Sequence, residues 1–113
     1  MLTLYGIPNC DTVKKARAWL DAQSLAYTFH DYKKAGIDTA TLQRWCAVLG
    51  YEQLVNRRGT TWRKLPEAER TGLDGTRALQ LMQAQPSLIK RPVLDANGTL
   101  LLGFDENQWR TLL

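Results

Sequence analysis

Leu2-Thr3-Leu4-Tyr5-Gly6-Ile7-Pro8-Asn9-Cys10-Asp11-Thr12-Val13-Lys14-Lys15-Ala16 is the stretch whose reading decides the fold. Leu2 to Tyr5 is short, partly alternating in polarity and halted by Gly6, the pattern of a strand. Gly6 and Pro8 then punctuate a loop that runs to Cys10. From Asp11 the spacing turns helical. Val13, Ala16, Ala18, Trp19, Leu20 and Ala22 supply an apolar side, with Lys14, Lys15, Arg17, Asp21 and Gln23 outside it. Asp11 and Thr12 suit the first turn of such a helix. Tyr27-Thr28-Phe29-His30-Asp31-Tyr32 reads as a second strand, rich in aromatic residues. A strand, a helix and a strand within about thirty residues make one βαβ unit, which implies parallel pairing and a right-handed crossover.

Beyond this unit the chain turns helical, then returns to strands. Asp38 or Thr39 can cap a helix in which Leu42, Trp45, Cys46 and Leu49 recur, stopped by Gly50. Shorter helical pieces follow at Tyr51 to Val55 and Leu65 to Arg70, and a longer one runs from Thr76 to Gln85, ending before Pro86. Val93-Leu94-Asp95 and Thr99-Leu100-Leu101-Leu102 flank Ala96-Asn97-Gly98, and Asn-Gly between two apolar runs signals a hairpin. A last helix is expected from Asp105 to the end, offering Trp109, Leu112 and Leu113. The predicted class is therefore α/β: a four-stranded mixed sheet of thioredoxin-like order, with a helical insertion between its βαβ and ββα halves. One domain is expected over residues 1–113, with the insertion at about 37–88.

Composition fits a packed domain. The chain is 44% hydrophobic, with four Trp, four Tyr and two Phe, ample material for a single core. Its formal charge of +4 favours anionic small molecules or acidic protein surfaces. No dense Lys/Arg stripe announces direct nucleic-acid binding; Lys14, Lys15 and Arg17, and the basic residues between Arg57 and Lys64, are the nearest to clusters. The N-terminal apolar run breaks at Gly6, too soon for a signal peptide or a membrane span. Two cysteines without a secretion signal point to the reducing cytoplasm and to no disulfide framework. One His and two Cys cannot build an ordinary four-ligand zinc site, so no metal and no bound cofactor are expected.

Cys10 is the residue on which chemistry is expected to fall. The predicted elements put it at the carboxyl end of the first strand and beside the start of the first helix, where reacting groups of α/β folds gather. A free thiol is mostly protonated at neutral pH and must become a thiolate to act as nucleophile. The positive end of a helix favours that anion, and Lys14 and Arg17 can share the helix side of Cys10. Asp11 opposes them. In Lys90-Arg91-Pro92-Val93, a proline follows a helical region and precedes a strand, the place where thioredoxin-like folds carry a cis proline facing the thiol. If that loop returns to Cys10, Arg91 brings a permanent cation and a planar donor fork.

The chain resembles the arsenate reductase/Spx family, and within it the YffB-like branch. The resemblance rests on Leu4 to Ala16, on Leu54-Val55-Asn56-Arg57-Arg58-Gly59-Thr60-Thr61-Trp62-Arg63-Lys64-Leu65, on Pro86 to Pro92, and on Gly103-Phe104-Asp105-Glu106. It implies a thioredoxin-like domain with a helical insertion. It also implies a thiol at Cys10 that attacks the substrate and is regenerated with glutathione and glutaredoxin, and an arginine beside the cis proline at Arg91. Two positions depart from the arsenate-reducing members, in which oxyanion-binding arginines stand at the places of Asn56 and Gly103. The Spx branch implies an RNA polymerase partner, and its Cys-x-x-Cys switch is missing here because position 13 is Val.

These readings combine into a glutathione-dependent thiol/disulfide oxidoreductase with Cys10 and Arg91 as catalytic residues. Asn9, Lys14, Arg57, Arg58 and Pro92 are expected to bind substrate or glutathione, which serves as co-substrate. Cys46, between Leu42 and Leu49, is expected to be buried and inert. A site with one cysteine needs an outside thiol to resolve its mixed disulfide, and glutathione is small, anionic and abundant in a reducing compartment. His30 is expected to be structural rather than catalytic. The alternatives are a protein-binding regulator akin to Spx and an arsenate reductase with an altered oxyanion site.

Overall fold

The computed structural model describes residues 1–113. In chain order its elements are β1 (Leu2–Gly6), α1 (Asp11–Ala22), β2 (Tyr27–Asp31), α2 (Tyr32–Ala35), α3 (Thr39–Leu49), α4 (Tyr51–Leu54), α5 (Thr60–Lys64), α6 (Glu67–Arg70), α7 (Gly75–Ala84), a 3₁₀ turn (Pro86–Leu88), β3 (Val93–Ala96), β4 (Thr99–Leu102), α8 (Glu106–Trp109) and a closing 3₁₀ turn (Arg110–Leu112). They fall into two compact units, Met1–Ala35 with Arg91–Leu113, and Gly36–Lys90.

The first unit is built on a four-stranded sheet of order β2-β1-β3-β4. β1 runs parallel to β2, with Leu4 opposite Phe29, and antiparallel to β3, with Tyr5 opposite Val93. β3 and β4 form the hairpin foreseen from Asn97-Gly98, both of which have positive φ. α1 lays Val13, Ala16, Trp19 and Leu20 inward. Ala18 and Ala22, read as part of its apolar side, are exposed, because the stripe is narrower than the count of alanines implied. Leu4, Ala16, Trp19, Leu20, Leu94, Leu101 and Trp109 form the core. Trp109 packs its edge on Trp19 and Phe104, with centroids 6.0 and 4.9 Å apart, and its indole N–H donates to the Gly103 carbonyl at 3.2 Å.

Two local expectations needed correction, and one element was missed. Tyr32 does not end β2; it opens α2 and is buried, 3% exposed. The final helix is not continuous, since α8 is a single turn that tightens into 3₁₀ at Arg110. α5 was not anticipated, because Thr60-Thr61-Trp62-Arg63-Lys64 carries no apolar repeat and none of its residues is buried.

The second unit is helical. Asp38 caps α3 by accepting from the Thr41 N–H at 2.7 Å, and Asp74 caps α7 by accepting from the Arg77 N–H at 2.8 Å. α3 packs on α7, and Thr39 donates to Gln83 at 3.1 Å. Leu42, Trp45, Leu54, Val55, Leu81, Met82, Leu88 and Ile89 are among its buried side chains. No helix of the chain is long and apolar enough to cross a membrane.

Candidate active site

The site grows from the end of β1. Gly6 is required there by close approach: a Cβ on it would stand 2.8 Å from Val13 Cγ2. The first turn of α1 therefore rests directly on the strand end, and the loop Ile7–Asn9 delivers Cys10 to the N-cap position with extended backbone, φ −137° and ψ 124°. Cys10 is partly exposed, and Asn9 and Lys14 beside it are exposed. The first helical bond runs from the Lys14 N–H to the Cys10 carbonyl at 2.9 Å.

Arg91 reaches the same place from the other side of β1. Because Tyr5 pairs with Val93 in an antiparallel register, the residues just before Val93 lie alongside the chain just after Tyr5. The Arg91–Pro92 peptide is cis, Pro92 is buried, and its carbonyl accepts from the Gly103 N–H at 2.8 Å. Arg91 faces the Cys10 sulfur as a hydrogen-bond donor and as a charge.

As a neutral thiol, the Cys10 sulfur closes no capping hydrogen bond. Its anion is another matter. Burial opposes ionisation, but the Val13 amide, the Arg91 guanidinium and the Thr12 amide together outweigh it, so the thiol pKa lies below its ordinary value. Helix-start amides and a neighbouring cation both favour negative charge, and a permanently charged planar donor suits this better than an ammonium.

Of the three cations expected near the thiol, Arg91 is the one among the causes of its shift. Lys14 and Arg17 are not among the causes of the Cys10 shift. Arg17 turns instead toward β2, donating to the Tyr27 hydroxyl at 3.1 Å and lying over the Phe29 ring at 4.2 Å. Cys46 is half-buried rather than buried, and burial pushes its thiol up, the opposite direction from Cys10.

An aromatic group at the carboxyl ends of β1 and β2 went unrecognised as part of this region. Tyr5 packs on His30 at 4.8 Å between centroids and stacks on Tyr32 at 6.4 Å, while His30 meets Tyr32 edge-on at 6.1 Å. Burial and the nearby Tyr5 push the Tyr32 phenol up, and the Arg91 charge works against them. The signal was available in the parallel register, which sets Tyr5 opposite His30.

The structure thus brings Cys10, Arg91 and Pro92 together, with Asn9 and Lys14 on the exposed loop and first turn. Arg57 and Arg58 belong to the helical unit, where they line a cleft with Glu52, Gln53, Val55, Asn56 and Lys90.

A thioredoxin-like sheet with a partly exposed thiol at the first helix start, and a cis proline and an arginine beside it, make a thiol oxidoreductase-like fold. Residues 5–112 match the ArsC family, and the chain belongs to that family. It is similar to the solved YffB (PA3664) protein, with 53% identity and a TM-score of 0.97 over 100% of this chain and 99% of that one. It is 44% identical to an uncharacterised protein of Haemophilus influenzae, over 97% of this chain and 96% of that protein. It is 27% identical to the global transcriptional regulator Spx of Streptococcus mutans, over 100% of this chain and 83% of that protein.

Proposed function

We propose that the protein is a glutathione-dependent thiol/disulfide oxidoreductase acting through Cys10. The observation that carries this reading is the lowered pKa of Cys10 under Arg91 and the Val13 and Thr12 amides. The thiolate attacks the glutathione sulfur of a mixed disulfide between glutathione and another thiol. A bond forms between Cys10 Sγ and that sulfur, the old S–S bond breaks, and the leaving thiolate takes the electron pair and a proton from water. The thiolate of a second glutathione then attacks the sulfur bound to Cys10, releasing glutathione disulfide and restoring the Cys10 thiolate. Over the cycle the second glutathione's sulfur is oxidised and the substrate sulfur is reduced, while the first glutathione's sulfur stays at the disulfide level throughout. Arg91 stabilises the thiolate at the start and end of the cycle. Asn9 and Pro92 flank the incoming sulfur, and Lys14 offers a cation to glutathione carboxylates.

Treatment with glutathione disulfide followed by intact-mass measurement tests this. The expected product is one glutathione on Cys10, absent from Cys10→Ser, and turnover of a glutathionylated thiol when glutathione is supplied. A Cys10 that stays unmodified and alkylates with an ordinary thiol pH profile sinks the reading.

A second reading is a protein-binding regulator, favoured by the full-length similarity to Spx. It calls for a partner such as the RNA polymerase implied by that resemblance, captured equally by the native protein and by Cys10→Ser. Arsenate reduction has less support. The Asn56 side chain is engaged in its own turn, accepting from the Arg58 N–H at 3.2 Å. Gly103, at the place of the other oxyanion arginine, has φ +75°, a conformation that strains any side-chain-bearing residue.

A further inference from the structure

Tyr32 is a buried side chain beside the site that the thiol chemistry leaves unused. Its ring stacks on Tyr5 and meets His30 edge-on, and its hydroxyl is buried without a hydrogen-bond partner. A hydroxyl buried and unbonded destabilises the fold that holds it. The sheet explains its place. β1 sets Tyr5 opposite His30 on one side and opposite Val93 on the other, so these three side chains share one face. Tyr32 directly follows β2, and Arg91 stands two residues before β3. The two therefore flank the carboxyl end of β1 from opposite sides, at the turn that delivers Cys10. The Arg91 charge is felt by both the Cys10 thiol and the Tyr32 phenol.

These two groups compete for Arg91 unequally. The thiolate is an anion, whereas burial keeps the Tyr32 phenol protonated and its oxygen a neutral acceptor. A hydrogen bond to an ionised acceptor is roughly twice as strong as one to a neutral group, so the guanidinium stays with Cys10 while the thiolate lasts. Capping the sulfur reverses the order. A disulfide sulfur carries no charge and accepts weakly, while the phenol oxygen is unchanged. The Arg91 Nε is buried, so water does not take the place of the lost anion at that nitrogen.

We propose that Tyr32 is a positioning residue for Arg91: its hydroxyl oxygen accepts a hydrogen bond from the guanidinium while Cys10 is held in a disulfide, and releases it when the thiolate returns. This rests on the disulfide chemistry of Cys10 proposed above, but not on glutathione being the thiol. Tyr32 thereby favours the disulfide-bonded intermediate over the free thiolate, because it bonds Arg91 in the one state and not in the other. The resting protein bears the cost of the unbonded hydroxyl.

The test caps Cys10 without glutathione, in protein carrying Cys46→Ala so that a single thiol remains. Methyl methanethiosulfonate supplies the cap. The Cys10 thiolate attacks its sulfenyl sulfur, a disulfide bond to a methylthio group forms, and methanesulfinate leaves with the electron pair. Melting temperatures of the free and capped forms are then compared with and without Tyr32→Phe. The substitution should raise the midpoint of the free form and lower that of the capped form. In buffers of glutathione and glutathione disulfide, Tyr32→Phe should make the Cys10 adduct about tenfold less favoured, the effect of losing one hydrogen bond from a charged donor. Arg91→Ala should erase both differences, since the hydroxyl acts through the guanidinium, and Arg91→Lys should keep part of them. Equal shifts of the free and capped forms, or differences that persist in Arg91→Ala, make the hydroxyl merely structural and overturn the proposal. The methylthio result without any glutathione adduct supports Tyr32 and overturns the glutathione reading. A Cys10 that resists methanethiosulfonate overturns both.

Discussion

Arg91 meets the Cys10 sulfur as both donor and cation, although 81 positions of sequence separate them. Its removal should raise the thiol pKa. Arg91→Ala is expected to slow alkylation of Cys10 by iodoacetamide severalfold at neutral pH and to move the midpoint of the rate–pH profile upward. Each tenfold loss of thiolate corresponds to about 1.4 kcal/mol of lost stabilisation of the anion. Arg91→Lys should recover part of the effect, since an ammonium keeps the charge and loses the fork.

The same interaction couples pH to stability. The folded pKa of Cys10 lies below that of the unfolded chain, so the unfolded state binds more protons between the two values. The resulting stabilisation is fully present above the unfolded pKa, declines as pH falls, and is lost below the folded pKa. Melting temperature followed from pH 6 to about 9.5 should therefore rise more in the native protein than in Cys10→Ser. Parallel curves would refute the linkage.

Gly6→Ala should disturb the site through the fold. The new Cβ would sit 2.8 Å from a Val13 methyl, and Val13 is fully buried, so it cannot step aside freely. Overpacking of this kind costs about 1–3 kcal/mol. Because the Val13 amide supports the thiolate, a higher Cys10 pKa should accompany the lower melting temperature.

Arg17→Ala should separate stability from chemistry. It removes a hydrogen bond to Tyr27 and the contact over Phe29, together about 1 kcal/mol. Thermal unfolding should register that loss, while the alkylation profile of Cys10 stays unchanged. A shifted profile would place Arg17 back beside the thiol.

Tyr32→Phe should stabilise the protein. The Tyr32 hydroxyl is buried without a hydrogen-bond partner, and its desolvation costs about 1–3 kcal/mol. Phenylalanine keeps the stacking on Tyr5 and removes that penalty. A higher midpoint in urea at unchanged slope would bear this out; a lower one would show that the hydroxyl does have a partner in solution.

Local patterns carried much of this structure. Leu2 to Ala16 read as strand, loop and helix because periodicity changes sharply across Gly6 and Pro8, and Asn97-Gly98 named its own hairpin. The parallel pairing of β1 and β2 followed from the single helix between them. Short elements escaped where local signals are weak: Thr60 to Lys64 buries nothing, and Tyr32 looked like a strand residue because aromatic side chains suit both states.

The site divided along the same line. Cys10 at a helix start was legible, since strand, turn and helix lie adjacent in the chain, and the place of Pro92 before a strand was legible with it. Which of the candidate cations Lys14, Arg17 and Arg91 acts on the thiol was not. Lys14 and Arg17 had the right helical spacing, yet Arg17 gains more from the faces of Tyr27 and Phe29, partners that only the folded sheet supplies. Arg91 acts because the antiparallel β1–β3 register carries it to the end of β1. The sequence by itself determined that a thiol would stand at the first strand–helix turn, because that depends on neighbouring residues. Only tertiary structure decided that Arg91 would join the helix-start amides in lowering its pKa, because charge acts through distance in space rather than along the chain.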